Sequence, residues 1–334
     1  MIKVAINGFG RIGRLAFREM IVSNDFDVVA INDLTDAEEL SYLLRYDTNH
    51  RSFHEDQISY DNDEIIINNK KRVKVYAERD AKNLPWGELG VDLVIECTGL
   101  YTEYEKAMSH IEAGAKKVLI SAPGKGNMKT IVYNVNDNTL DGSEQIISAA
   151  SCTTNCLAPV LKVINDNNKI IKGLMTTIHA YTNDQATLDI AHKKGYKSRR
   201  GRACAANIVP ATTGAAKAIG EVIPDLKGKL DGNAYRVPVP DGSVIDVVLE
   251  LTNNTSIDEI NNLLKNNQNE TLKFTMDPVV SSDILGKKCG SLVDGLSTNI
   301  VEDGGKQLVK IVAWYDNELG YTAQMIRTAK KLFE

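Results

Sequence analysis

The run Gly8-Phe9-Gly10-Arg11-Ile12-Gly13 follows an apolar stretch, Ile2 to Asn7, and precedes a helical pattern that begins at Arg11. A G-x-G-x-x-G at a strand-to-helix turn lets the backbone bend tightly, approach a ligand closely and pack the new helix on the strand. The uncapped N–H groups of that helix then face an anion such as a pyrophosphate. Residues 1 to 150 continue the alternation, with strand signals at 28–32, 91–97 and 117–121 and helix signals at 36–45 and 103–113. Strands and helices in alternation call for an α/β unit with a mostly parallel sheet covered on both faces, a Rossmann-type dinucleotide-binding domain. Asp33 ends the second strand about 20 residues beyond the glycines, where a carboxylate accepts hydrogen bonds from an adenosine ribose. No Lys or Arg follows it until Arg45, so a 2′-phosphate would meet negative charge, and NAD is expected over NADP.

Two helix starts in this half are expected to carry capping boxes, Thr35 with Glu38 and Thr102 with Glu105. Beyond residue 150 the texture changes to longer strand-like runs at 173–179, 233–239, 243–252, 291–301 and 307–315, with few helices between them. That pattern predicts an α+β domain with a large antiparallel or mixed sheet. Ser256 and Glu259 form another capping pair on a solvated helix, and 317–333 places Met325, Ile326, Ala329 and Leu332 on one helical face.

The 334 residues carry a formal net charge of −5. This balance gives no basic footprint for nucleic acid or an anionic membrane, and no apolar run reaches spanning length. The first residues read as a strand rather than a leader, so a cytoplasmic protein is expected. The five cysteines, Cys97, Cys152, Cys156, Cys204 and Cys289, are scattered without zinc spacing and read as reduced thiols, with no metal expected.

Chemistry concentrates in Ser151-Cys152-Thr153-Thr154-Asn155-Cys156 and in His179. A cysteine opening a helix has its thiolate stabilised by free N–H groups, and a histidine within reach can carry its proton. An aldehyde attacked by this thiolate gives a hemithioacetal, and hydride loss to a nicotinamide gives a thioester that a second nucleophile must release. Cys156, one turn along, reads as a packed thiol. Thr182, the cluster Arg199, Arg200 and Arg202, the helix start Thr212-Thr213-Gly214-Ala215, and Arg236 together offer guanidinium groups and N–H-rich turns suited to two phosphate-sized anions.

With these residues assembled, the chain resembles the phosphorylating glyceraldehyde-3-phosphate dehydrogenases. The likeness runs from Asn7-Gly8-Phe9-Gly10-Arg11-Ile12-Gly13-Arg14 through the cysteine block, Thr213-Gly214-Ala215-Ala216-Lys217-Ala218 and Arg236-Val237-Pro238 to Trp314-Tyr315-Asp316-Asn317-Glu318-Leu319-Gly320-Tyr321. The resemblance implies Cys152 as nucleophile and His179 as its base and oxyanion donor. It also implies Thr182 and Arg236 at the C3 phosphate of glyceraldehyde 3-phosphate, and Ser151, Thr153, Thr213 and Gly214 around inorganic phosphate. Arg199 is the arginine it implies between the two phosphates. For NAD it implies the glycines Gly8, Gly10 and Gly13 with Arg11, Ile12, Asp33, Arg79, Thr98, Ser121 and Asn317. It further implies a homotetramer, and a C-terminal helix that returns to the first domain. The expected division is therefore 1–151 with 317–334 for the nucleotide domain and 152–316 for the catalytic domain.

Two departures from the family pattern stand out. Ile190-Ala191 occupies the place where strongly NAD-selective members resemble Leu-Pro, and the stretch Gly195-Tyr196-Lys197-Ser198 differs in length from the common bacterial form. The rival enzyme is an erythrose-4-phosphate dehydrogenase with hydrolytic acyl release, and the rival from another class is a catalytically idle binding protein of the same fold. The intact Thr213–Lys217 helix start speaks against the first, and joint retention of Cys152, His179, Asp33 and Arg236 against the second.

Overall fold

The computed structural model describes all 334 residues and divides them into two compact units. The first comprises Met1–Ile131, Asp137–Ala150 and Met325–Glu334, and the second Val132–Asn136 and Ser151–Gln324. The division thus falls inside the C-terminal helix, whose first six residues belong with the second unit, rather than at Asn317.

In chain order the first unit carries β1 (Ile2–Asn7), α1 (Arg11–Ile21), β2 (Phe26–Asn32), α2 (Ala37–Arg45), β3 (Ile58–Asp61), β4 (Glu64–Ile67), β5 (Lys71–Tyr76), α3 (Trp86–Leu89), β6 (Leu93–Glu96), α4 (Tyr104–Glu112), β7 (Lys117–Ile120), β8 (Lys129–Thr130) and β9 (Ile146–Ser148). The sheet order is β3-β4-β5-β2-β1-β6-β7-β9-β8, parallel throughout except for the antiparallel β3-β4-β5 meander. Strand order therefore reverses between β1 and β6, the switch point beside which α/β sheets bind ligands. Central strands are apolar on both faces, with Val4, Ala5, Ile6, Val94, Ile95, Val118 and Leu119 all buried, as helices on both sides of a parallel sheet require.

The periodicity at 28–32, 91–97, 103–113 and 117–121 marks elements that are present, but the β3-β4-β5 meander carries no expectation from sequence. Its signal is local: Asn68 and Asn69 both sit at φ +54° in the three-residue connection from β4 to β5, where Lys70 N donates to Ile67 O at 3.0 Å. Both capping boxes expected in this unit are absent. The α2 cap is Asp36, whose side chain accepts from Glu39 N at 2.9 Å. A carboxylate one residue closer to the helix displaces Thr35. At α4 the N-cap residue is Glu103 and no side chain caps the helix; Tyr104 N donates instead to Lys125 O at 2.8 Å, and Thr102 takes part through its carbonyl, which accepts from Lys125 N at 2.9 Å.

The second unit carries α5 (Cys152–Asn167), β10 (Ile170–Ala180), β11 (Val209–Thr212), α6 (Ala215–Val222), β12 (Leu230–Val237), β13 (Ser243–Leu251), α7 (Ile257–Asn266), β14 (Leu272–Thr275), β15 (Ser291–Asp294), β16 (Asn299–Asp303), β17 (Lys306–Tyr315) and the start of α8 (Leu319–Lys331). Its mixed sheet runs β11-β12-β10-β13-β17-β15-β14, with β16 hairpinned onto β17. Two pairs, β10 with β12 and β14 with β15, are parallel. The run 291–301 is two strands, not one, because Asp294 accepts from Leu296 N and turns the chain through a 3₁₀ segment. Strand β13 alternates strictly, burying Ile245, Val247 and Leu249. Ser256 and Glu259 do form the expected reciprocal box at the start of α7. In α8, Met325 and Ala329 are buried and Ile326 is only half-buried, and Leu332, just past its end, is buried. In the first unit Lys330 pairs with Asp25 at 2.9 Å.

Candidate active site and dinucleotide half-site

In the first unit, the C-terminal ends of β1, β2 and β6 form the nucleotide half-site. Gly8 has φ +90°, and a Cβ there would come within 2.8 Å of Thr98 N. A Cβ on Gly13 would overlap the Gly8 carbonyl, whereas one on Gly10 would meet nothing. The first and third glycines are therefore demanded by backbone contact, and the middle one leaves open space before the N-terminus of α1. That terminus has no side-chain cap, so the N–H groups of Arg11 and Ile12 are the kind an anion satisfies. Asp33 Oδ2 accepts from Phe9 N at 2.7 Å and Oδ1 from Thr35 N at 3.1 Å, which fixes the carboxylate at the tip of β2. These features fit a bound dinucleotide. The Arg11 side chain is turned to Asp47 at 3.0 Å, so Arg11 can offer a ligand its backbone N–H. Ser121 hydrogen-bonds the half-buried Cys97, whose thiol desolvation pushes up to about 12. Arg79 is exposed.

The first unit's run ends at Ala150 with φ +59°, and in the second unit Ser151 caps α5 by accepting from Thr154 N at 3.1 Å. Cys152 is thereby the first residue of a 16-residue helix. Its Sγ lies 3.4 Å from His179 Nε2, because β10 delivers His179 at its far end. His179 Nδ1 is 2.7 Å from Ala180 O and 3.0 Å from Arg236 Nη1, contacts that demand opposite tautomers. The carbonyl contact is shorter, and Arg236 Nη1 has two acceptors of its own, Ala180 O at 3.0 Å and Thr182 Oγ1 at 3.1 Å. We therefore assign the proton to Nδ1, which leaves the Nε2 lone pair facing the Cys152 thiol. Burial, then Arg236 and Arg200, hold the imidazole down at about 3. Burial likewise raises the Cys152 thiol, opposed by the Arg236 charge and by hydrogen bonds from Thr153. Moving the proton from sulfur to nitrogen creates a thiolate and an imidazolium side by side, each relieving the other's desolvation. Cys156 is buried, its Sγ 3.6 Å from Ser291 Oγ, and its thiol is pushed up by desolvation; it is a packed thiol.

Around this pair the structure assembles cations. Arg236 is held below its usual range by burial and then by Arg200, and its buried Nε has no protein partner. Two crowded guanidiniums with an unmet donor fit an anionic group. Thr182 joins them, its hydroxyl donating to Asp184, which also pairs with Arg200. The arginine brought here is Arg200 and not Arg199. Arg199 is exposed at φ +59°, ending the 3₁₀ turn Tyr196–Ser198. That left-handed residue rotates the chain, so its successor faces inward. Thr153 Oγ1 is engaged with Tyr315 Oη at 2.9 Å, and Thr153 hydrogen-bonds the Cys152 sulfur as well. At α6, Thr213 Oγ1 accepts from Ala215 N at 3.2 Å, and a side chain on Gly214 would meet nothing. Asn317 is buried with Oδ1 accepting from Ser243 Oγ at 2.6 Å, so what it keeps for a ligand is its amide N–H pair.

The comparisons with known proteins decide the family. The NAD-binding domain of glyceraldehyde 3-phosphate dehydrogenase matches residues 2–104, and the C-terminal domain of the same enzyme matches 151–317. The chain belongs to the glyceraldehyde-3-phosphate dehydrogenase family. Proteins of that name from Clostridium pasteurianum and Clostridium acetobutylicum are 57% and 56% identical over 328 residues, covering 98% of this chain and 97% of theirs. One from Streptococcus pyogenes is 54% identical over 329 residues. No helix is long and apolar enough to cross a membrane.

Sequence reasoning missed Asp184, Tyr315 and Ser243 as parts of the catalytic half-site, and named Arg200 only within the cluster Arg199, Arg200 and Arg202. Asp184 had a signal, standing two residues beyond Thr182. Tyr315 and Ser243 come from strands far along the chain and meet the site only through sheet register, Ser243 opposite Tyr315 on β13 and β17.

Proposed function

We propose that the chain catalyses the glycolytic oxidation and phosphorylation of glyceraldehyde 3-phosphate to 1,3-bisphosphoglycerate, with reduction of NAD. The observation that carries this reading is the Cys152–His179 pair, 3.4 Å apart, set beside the guanidinium groups of Arg236 and Arg200 and the Thr182 hydroxyl. Bound NAD supplies the hydride acceptor. Arg236 and Thr182 hold the C3 phosphate and so aim the aldehyde carbon at Sγ. His179 takes the thiol proton as the C–S bond forms, then returns it to the new alkoxide of the hemithioacetal. When the C1 hydride leaves, His179 Nε2 removes the hydroxyl proton, and a thioester on Cys152 results. Inorganic phosphate, held by Arg200 with the N–H groups at the starts of α5 and α6, attacks the thioester carbonyl. The C–S bond breaks, and the thiolate returns to its place beside the imidazolium. Ser151, Thr153, Thr213 and Gly214 contribute chiefly as backbone and capping groups in this scheme.

The active form is a homotetramer of this chain. Supporting that, the second unit's sheet leaves an open concavity of about 970 Å³ lined by Leu174, Leu230, Val248 and Leu308, with Leu174 69% exposed. Five free thiols accord with a reducing cytoplasm. The test is NADH formation from glyceraldehyde 3-phosphate with NAD or NADP, with and without phosphate or arsenate. Steady turnover that needs NAD and phosphate is expected, and turnover indifferent to phosphate would move the assignment to a hydrolytic dehydrogenase.

A further inference from the structure

Beneath the nucleotide half-site lies a buried polar core that the reaction scheme does not use. Glu96 closes β6 with 1% of its surface exposed, and His110 of α4 is completely buried beside it. The Glu96 carboxylate accepts from Asn7 Nδ2 at 2.6 Å, from Thr98 N at 2.7 Å, from the Thr98 hydroxyl, and from His110 Nε2 at 3.1 Å. The tautomer of His110 is forced. Trp86 Nε1 can only donate, and it points at His110 Nδ1 at 3.1 Å, so the ring's N–H is on Nε2 and is directed at Glu96.

Two arms run outward from this core. The shorter is Thr98, tied to Glu96 by its N–H and its hydroxyl and packed against Gly8. The longer passes from Asn7 Oδ1 to Asn32 Nδ2 at 2.7 Å, and Asn32 brackets Glu78 through both its N and its O at 2.9 Å. Tyr101, its ring centroid 5.1 Å from that of His110, donates to Arg79 O and accepts from Ala81 N, each at 3.1 Å. Both arms therefore end on turns that border the crevice between the carboxyl ends of β1, β2 and β6. A buried carboxylate met by four donors costs more to assemble than an apolar core of the same volume, so stability alone does not explain it. Its geometric product is the placement of two turns.

We propose that Glu96 and His110 are positioning residues of the dinucleotide site, setting Thr98 and the Glu78–Arg79 turn and through them the affinity for NAD. This inference rests on the dinucleotide-binding reading above. The test is calorimetric titration of the full chain with NAD and with ADP-ribose, alongside thermal melting. Glu96→Gln sets an N–H₂ against donors. It should weaken both ligands about 10- to 100-fold, the cost of one or two unmet buried hydrogen bonds, and raise KM for NAD in step, while KM for glyceraldehyde 3-phosphate stays within about twofold. Trp86→Phe keeps an aromatic ring and deletes only the N–H that fixes the tautomer; a weakening of about 3- to 10-fold is expected, and this variant decides the matter if Glu96→Gln does not fold. A purely structural role would lower the melting temperature and leave both affinities unchanged, and that result overturns the proposal. Wild-type protein that binds neither NAD nor ADP-ribose would overturn the dinucleotide reading itself, a distinct outcome.

Discussion

Replacing Arg236 by Gln separates the two tasks the structure gives that side chain. Its Nη1 donates to Thr182 Oγ1 at 3.1 Å and to Ala180 O at 3.0 Å, its buried Nε has no protein partner, and its charge opposes the burial-driven rise of the Cys152 thiol. A charge-assisted contact to a phosphate is worth about 1.5–3 kcal/mol, and each 1.4 kcal/mol is a factor of about ten. KM for glyceraldehyde 3-phosphate should therefore rise about 10- to 150-fold, with KM for inorganic phosphate changed far less. Losing the neighbouring charge should also slow alkylation of Cys152 by iodoacetamide at neutral pH. Initial rates at saturating NAD, with each substrate varied in turn, and a timed alkylation measure both effects. An unchanged KM for the sugar phosphate, or a rise confined to inorganic phosphate, would refute the assignment of Arg236 to the C3 phosphate.

Three further outcomes are expected. His179→Asn removes the proton acceptor and should lower kcat by about 10² to 10⁴; a rate near wild type at neutral pH would put the base elsewhere. Arg200→Ala should strongly impair turnover while Arg199→Ala stays within about twofold, since Arg200 faces Asp184 and Arg236 whereas Arg199 is exposed; the reverse order in a rate comparison would contradict the corrected assignment. Burial by itself would raise the Asp47 carboxyl, but the Arg11 hydrogen bond and the His50 and Asn49 N–H groups outweigh it and hold the group at about 2. Its folded value lies below the ordinary 3.8, so its stabilisation is full above about pH 4 and is lost as pH falls toward 2. Asp47→Asn should flatten the melting temperature across that window, and an undiminished acid slope would remove Asp47 as a contributor.

How much could be read from the sequence depended on the range of the interactions involved. The Gly8–Gly13 turn, Asp33 and the start of α5 are set within a few residues, and each stands where its local pattern placed it. The helix caps show the limit of such reading, for Asp36 competes with Thr35 across one bond, and Tyr104 finds its partner at Lys125, in a strand-like bridge no helix pattern announces. Arg199 and Arg200 differ by one residue, and only the left-handed turn at Arg199 decides which guanidinium faces inward. The Glu96–His110–Trp86 core joins three elements across the first sheet, so composition and periodicity were silent about it.

The reaction scheme requires an acyl group to rest on Cys152 until phosphate removes it. Mixing enzyme, NAD and glyceraldehyde 3-phosphate in phosphate-free buffer measures this directly, with NADH followed by absorbance and the quenched protein by mass. The expected result is a burst of about one NADH per active site, a slow phase after it, and a glyceroyl adduct on the Cys152 peptide that disappears when phosphate is added. Fast multiple turnover without phosphate, or a burst with the adduct on another residue, would contradict it.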